Sequence, residues 1–482
     1  MKNVSLISGP VSALLFWFVV ELDVQNHQVS LMAGVVVWMA IWWLTEAVPL
    51  AITSLLPVIL LPLLGIADSK VVCSQYMDSI IFLFIGGFLL AFAIERWQLH
   101  HRMALKVLLL TGSTPTKLLV GIMLTAYLLS MWVSNTATVM ILISAVSAAI
   151  SQLELSGTSN KKVNSALMLG LAYAASIGGM ATLVGTPTNM IFYREYLANF
   201  PQNHDMNFFE WFKVGLPISL LMLFGTFLIL RYLIIGRQKL TLKNHSNVLK
   251  QAYLRLGKLN YEEKVVSFIF LLTVMLWFTR AEIDMGNFTL FGWNKLFSHP
   301  EYITDATVVI LMSTLLFFIP SKSEKGSFIL TWSDAEKLPF NIILLFGGGF
   351  AMAKGFELSG LSNWVAGSMN FLQEVPPFLF IIGMCLLICI ISEFASNVAC
   401  IQLMLPVLAA FNKEMNLDPL VLMIPATLAA SLGFVLPIAT APNTIVFATG
   451  KVKAREMFRA GIWVDIIGII IIAIFMYLTR SL

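Results

Sequence analysis

Residues 116–152 read TKLLVGIMLTAYLLSMWVSNTATVMILISAVSAAISQ, and residues 376–411 read PPFLFIIGMCLLICIISEFASNVACIQLMLPVLAAF. Each run is too long for one membrane crossing, which takes about 20 mostly apolar residues. Each is interrupted near its middle by a polar cluster, Ser134-Asn135-Thr136 in the first and Ser396-Asn397-Val398 in the second. A polar break halfway along such a run predicts two half-length helices folded back as a re-entrant hairpin. Irregular backbone at membrane depth is tolerated only where it is buried in protein or lines a cavity.

The remaining sequence agrees. Of 482 residues, 58% are hydrophobic and 12% charged, about half the ~25% charge of soluble domains. Mean hydropathy is +0.85. Apolar runs recur from end to end, which excludes a secreted, nucleic-acid-binding or disordered protein. The expected class is an all-α polytopic membrane protein whose solvent is the lipid bilayer. Eleven spans are expected, at 8–22, 30–45, 48–66, 77–96, 163–196, 211–236, 264–281, 303–320, 339–355, 419–449 and 460–479, besides the two hairpins. Residues 1–29 hold the first span; without a small-residue cleavage pattern it is not a signal peptide. Cys73, Cys385, Cys389 and Cys400 imply no disulfide framework, and the i, i+4 pair Cys385/Cys389 reads as buried packing.

Loop charge sets the orientation. Segment 237–263 carries Arg237, Lys239, Lys243, Lys250, Arg255 and Lys258 against Glu262 and Glu263. Segments 97–117 and 450–459 are also basic, whereas 282–302 carries Glu282, Asp284 and Glu301 against Lys295. With eleven crossings and both hairpins returning to their own side, the three basic loops share one side. The positive-inside rule then puts the N-terminus in the cytoplasm and the C-terminus outside the cell membrane.

The two halves repeat. Gly86 aligns with Gly348 and Ser134-Asn135 with Ser396-Asn397, both at an offset of 262. Ala174–Gly178 aligns with Ala429–Gly433, and Pro187 with Pro442, at 255. The repeats span 30–236 and 264–479, joined by the basic loop 237–263. Each holds five crossings, an odd number, so the second copy must be inverted. Inverted repeats with a site near the midplane are characteristic of secondary transporters.

Ser, Asn and Thr are preferred helix N-caps. At a hairpin tip they start the returning half-helix and aim its free N–H groups and positive dipole end into the cavity, an anion site without a fixed cation. A second pair of breaks, Val184–Asn189 and Pro437–Thr444, interrupts spans 163–196 and 419–449. Proline frees carbonyls one turn back. Beside Ser and Asn oxygens these predict one Na⁺ cage per tip, so that bound Na⁺ supplies the charge the anion needs. Glu393 reads as an acid supporting the second tip, and Glu46 as a capping acid. Trp17, Trp42, Trp43 and Trp97 read as an interfacial belt, and His100-His101 as part of an interfacial helix.

These residues resemble the divalent anion/sodium symporter family, the sodium-coupled dicarboxylate, citrate and sulfate transporters. The resemblance runs through Trp43–Leu50, Ser134–Thr138, Gly185–Asn189, Phe346–Phe350, Glu393–Asn397 and Ala439–Asn443. It implies a homodimer and an elevator mechanism. A scaffold of spans 1–4 and 7–9 would flank a transport domain of both hairpins and spans 5, 6, 10 and 11. It implies one Na⁺ site at Ser130, Ser134, Asn135 and Gly185, and a second at Ser392, Ala395, Asn397 and Ala439. The anion would contact Ser134, Asn135, Thr136, Ser396, Asn397 and Thr440, with Val398, Pro187 and Pro442 beside it. Val398 departs from the Ser-Asn-Thr pattern and removes a hydroxyl worth ~1.5–3 kcal/mol to an anion. The expected function is Na⁺-coupled symport of di- or tricarboxylates such as succinate, malate, fumarate or citrate. The alternatives are a sodium-coupled sulfate symporter or a sodium-independent dicarboxylate exchanger. No nucleophile–base pair, zinc motif or intramembrane acid pair argues for an enzyme.

Overall fold

The computed structural model describes residues 2–111, 114–155, 160–202, 206–236, 253–254, 256–284, 289–368, 375–415 and 418–479. The basic loop 237–263 therefore lies largely outside the described residues. Among the described residues the chain is helical, with one two-residue strand pair, Ile283–Asp284 against Thr289–Leu290. Among the described residues, seven helices are long and apolar enough to cross a membrane, and six apolar helices are shorter.

The first half begins with α1 (Lys2–Phe18) and α2 (His27–Thr45), which pack on each other, then α3 (Leu50–Thr53), α4 (Leu56–Leu63) and α5 (Ser69–Ser74). Next come α6 (Ser79–Arg96) and α7 (Leu99–Thr111). The run 116–152 forms α8 (Pro115–Ser130) and α9 (Asn135–Leu155), two packed helices joined by four residues. The run 163–196 is split into α10 (Lys161–Met180) and α11 (Pro187–Asn199), followed by α12 (Phe208–Ile229). Proline at the first position of α11 suits a helix start, where its missing N–H is not needed.

The second half runs α13 (Tyr261–Phe278), α14 (Asp305–Leu315), α15 (Trp332–Ala335), α16 (Phe340–Ser359) and α17 (Leu361–Ser368). The run 376–411 forms α18 (Pro377–Phe394) and α19 (Asn397–Met415), joined by only Ala395 and Ser396. The run 419–449 is split into α20 (Leu420–Ala430) and α21 (Ala441–Ala448), and α22 (Ala454–Thr479) ends the chain. Both polar clusters thus turn the chain between paired helices, and both later breaks interrupt a helix.

The centre is α10, every residue of which from Val163 to Met180 is buried. Its small residues let neighbours approach closely; a methyl at Gly178 would collide with the Tyr127 backbone. Tyr173 reaches from it to the second half, donating to the Phe434 carbonyl at 2.8 Å.

Four expectations change. Trp43 is fully buried and donates to the Leu50 carbonyl at 3.3 Å, so it packs the core of the first helices and is not a belt residue. Glu46 ends α2 through its backbone, in the left-handed region at φ 47°, and does not cap with its carboxylate. The expected span 303–320 is helical only over the 11 residues of α14, a length of ~16 Å. The second repeat offset is 254, not 255. Asn189 Nδ2 donates to the carbonyls of Gly179 and Thr182, and Asn443 Nδ2 donates to those of Gly433 and Leu436. Each donor and acceptor differs from its counterpart by 254. The matching Ala-Ala-Ser letters are one residue out of register because chemically similar small residues fit either position of a close-packed helix.

Candidate functional site

The four polar breaks meet. A cavity of about 810 Å³ is lined by Ser134, Asn135 and Thr136 from the first tip and by Ala395, Ser396, Asn397 and Val398 from the second. Gly185, Thr186 and Pro187 line it from one broken helix, and Ala439, Thr440, Ala441 and Pro442 from the other. The breaks touch directly, with the Thr188 and Ser431 hydroxyls 3.0 Å apart. Helices α9, α11, α19 and α21 all begin at this cavity, so four N-termini deliver their positive ends to one volume. Its lining contains no Lys, Arg or His, and Glu46 is its single ionisable side chain.

Local chemistry explains each start. Ser134 caps α9, its Oγ accepting from Ala137 N at 3.3 Å. Thr440 caps α21, its Oγ1 accepting from Asn443 N at 3.3 Å. Ser396 precedes α19 and accepts from Cys400 N through its carbonyl at 2.9 Å.

Behind each tip the pattern is the same. Ser130 Oγ donates to Asn135 Oδ1 at 2.6 Å, and Ser392 Oγ lies 2.8 Å from Asn397 Oδ1. Neither serine lines the cavity; both sit one layer deeper, where the tip meets the broken helix. At the first tip, a methyl built on Gly179 would lie 2.5 Å from Asn135 Oδ1, and one on Gly185 would lie 2.5 Å from the Gly179 carbonyl. Ser130, Asn135, Gly179 and Gly185 are therefore one oxygen-rich cluster. The second cluster adds the Ala430 carbonyl, 2.6 Å from Ser392 Oγ. It is looser, because a methyl on Gly433 would lie 3.9 Å from Asn397 Oδ1 and 3.5 Å from Ala439 Cβ.

The freed carbonyls expected of the proline breaks are partly occupied. The buried amides of Asn189 and Asn443 each hold two of them, fixing the shape of the unwound loops; the Thr182 and Leu436 carbonyls also accept from Gly185 N and Ala439 N, at 3.3 and 3.2 Å. Glu393 supports the second break more than the second tip: its two oxygens accept from Val435 N at 2.8 Å and Leu436 N at 2.9 Å.

The opposite wall, which the sequence does not assign to the site, is formed by Phe84, Gly87 and Phe88 of α6 with Leu44, Thr45 and Glu46 at the end of α2. Its signals were the Trp43–Leu50 motif and the glycine at Gly86. Trp132, at the first tip, stacks on Phe208 at 6.0 Å and meets Phe270 of α13 edge-on at 5.0 Å.

Residues 2–480 match the family described as the sodium:sulfate symporter transmembrane region. The chain belongs to this family. It is 38% identical over 481 residues to the sodium-dependent dicarboxylate transporter SdcS of Staphylococcus saprophyticus. It is 40% identical over 482 residues to the protein of the same name from Staphylococcus aureus. Each alignment covers 98% of this chain and 90% of the relative. The fold is shared with the solved structure of Neisseria gonorrhoeae MtrF, described with a class of antimetabolite efflux pumps, at a TM-score of 0.57, 12% identity and coverage of 85% and 84%. It is shared with the YdaH transporter of Alcanivorax borkumensis at 0.56, 13% identity and coverage of 84% and 86%. At such identities the likeness is one of fold alone. This sodium:sulfate symporter family member thus has transporters as relatives, not enzymes.

Proposed function

We propose that the protein is a sodium-coupled symporter of dicarboxylates in the cell membrane. The observation that carries this reading is the cavity itself: four helix N-termini converge on a volume without a basic side chain, and an oxygen cluster lies behind each tip. An anion there meets N–H groups, hydroxyls and amides from Ser134, Asn135, Thr136, Ser396, Asn397 and Thr440. Na⁺ ions held by Ser130, Ser134, Asn135 and Gly185, and by Ser392, Ala395, Asn397 and Ala439, supply the missing charge. Coupling follows, because the dianion binds well only after the cations. The relatives' sodium-dependent dicarboxylate transport favours this over sulfate.

The tip helices are read as re-entrant and the halves as inverted repeats among eleven spans. Both tips, the broken helices, α12 and α22 would move together against α1–α4, α6, α13, α14 and α16 in a homodimer, an elevator. The cavity is lined by Leu44–Glu46 and Pro339; the loop-charge reading puts these at cytoplasmic ends, which supports reading this state as inward-facing. Proteoliposomes with an inward Na⁺ gradient should accumulate radiolabelled succinate; equal uptake with choline replacing Na⁺ would refute the coupling.

A further inference from the structure

Two polar side chains on the helices proposed to move reach into the frame at one short stretch of α16, Leu345–Phe350. Neither lines the substrate cavity. Gln402 of α19 is buried, and its Nε2 donates to the Leu345 carbonyl at 2.8 Å. It fits there because Gly349 has no side chain; a methyl on Gly349 would collide with the Gln402 amide. Arg194 of α11 lies over the Phe350 ring at 4.6 Å, a cation–π contact. Its Nη2 donates to Gln75 Oε1 at 2.5 Å, in the turn before α6, and its Nε stands 3.7 Å from Asp78, which caps α6. Its Nη1 holds Glu195 at 2.8 Å, on its own helix. Arg194 therefore keeps Glu195 paired wherever α11 goes, whereas its contacts with Gln75, Asp78 and Phe350 belong to this one position of α11.

A small crevice of about 260 Å³ continues the same interface, between Ala353 and Glu357 of α16, Pro406 and Ala410 of α19, and Glu195. Helices α16 and α19 run in the same direction here, since Gln402 meets Leu345 and the later residues of both helices meet at the crevice. The crevice thus lies ahead of Gln402 on the path that α19 takes if it slides outward along α16. We propose that Gln402 and Arg194 are the two pins of a latch that holds the moving helices in the inward-facing position. The frame supplies both sockets, the Gly349 notch for the amide and Gln75, Asp78 and Phe350 for the guanidinium. Outward motion breaks these contacts, and the polar crevice ahead lets water replace them, so the latch biases the equilibrium without freezing it. Because the pins lie outside the cavity, they set the balance of states and not the contacts with the anion. The inference rests on the elevator reading and adds what holds one of its end states.

The test reads the balance of states directly. Spin labels on Glu336→Cys in the frame and Lys453→Cys in the moving body, both exposed positions, report their separation in nanodiscs, with Cys73→Ser removing the exposed native cysteine. Gln402→Met, Gln75→Ala and Phe350→Leu should each raise the outward-to-inward ratio about 2- to 10-fold, the worth of one hydrogen bond or ring contact. Each should also lower the external succinate concentration that half-saturates uptake. Gln75→Glu sets a carboxylate against Arg194 and should move the ratio the opposite way. Opposite shifts from two substitutions at one position are not expected of a merely structural residue. Arg194 itself is left intact, because Glu195 depends on it. If Na⁺ and succinate shift the separation in the otherwise wild-type protein but all four variants, folded by gel filtration, keep its ratio, the latch is overturned and the elevator stands. One fixed separation under every condition would overturn the elevator reading and the latch with it.

Discussion

Gly179 offers the sharpest test of the proposed first Na⁺ site, because the geometry forbids its smallest substitution. In Gly179→Ala the new methyl would start 2.5 Å from Asn135 Oδ1 and 3.1 Å from Asn135 Nδ2, well inside normal contact. The α10 backbone is buried on all sides, so the Asn135 side chain must move. Moving it breaks the 2.6 Å bond from Ser130 and takes the Asn135 oxygen out of the proposed site. Overpacking of this kind costs about 1–3 kcal/mol. Charged to ion binding, that is a loss of ~5- to 150-fold in Na⁺ affinity. The repeat supplies the control. At Gly433 the equivalent methyl meets Thr440 Cγ2 at 3.3 Å and stays 3.9 Å from Asn397 Oδ1, so Gly433→Ala should change Na⁺ affinity by less than about threefold. The assay is the Na⁺ activation curve of succinate uptake in proteoliposomes, with gel-filtration profiles confirming folded protein. A wild-type curve for Gly179→Ala, or equal damage at both positions, would refute the assignment of Asn135 to the tighter ion site.

Other expectations are simpler. Asn135→Ala and Asn397→Ala should each abolish uptake in folded protein; wild-type rates would make the tips structural. Val398→Thr restores a hydroxyl at the second tip and should alter affinity or selectivity among succinate, citrate and sulfate, as read by competition. Arg194 bonds Glu195 at 2.8 Å and Gln75 at 2.5 Å, and Glu195 is 2% exposed, so Arg194→Ala strands a buried carboxylate and should cost about 3–5 kcal/mol. Replacing both by Leu should recover most of the melting temperature, and no recovery would argue against an unpaired charge as the cause. Outside the spans, burial alone would push the Glu262 carboxyl up, but donors from Ser323 and Ser321 overcome it and bring it down to about 2. Its contribution is therefore present above its ordinary value of 4.5 and is lost as pH falls through about 2. Glu262→Gln should flatten the melting temperature over that window, and an unaltered acid limb would contradict it.

Much of this protein was written in one dimension. The length of an apolar run and a polar break at its middle are local properties, and backbone hydrogen bonding in a bilayer leaves few conformations for them. The turns at Ser134-Asn135 and Ser396-Asn397 and the splits before Pro187 and at Thr440 follow from that restriction. Tertiary structure alone decided what meets what. The α6 wall of Phe84, Gly87 and Phe88 carries no polar signal, so only packing places it across from the tips. The register of 254 is set by which carbonyls Asn189 and Asn443 reach, a distance relation that letter matching does not encode. Trp43 looked interfacial because indoles favour that depth, yet neighbouring helices enclosed it. Asp465 lies far from Glu393 in sequence, and only the packing of α22 on α18 makes the two a buried acid pair.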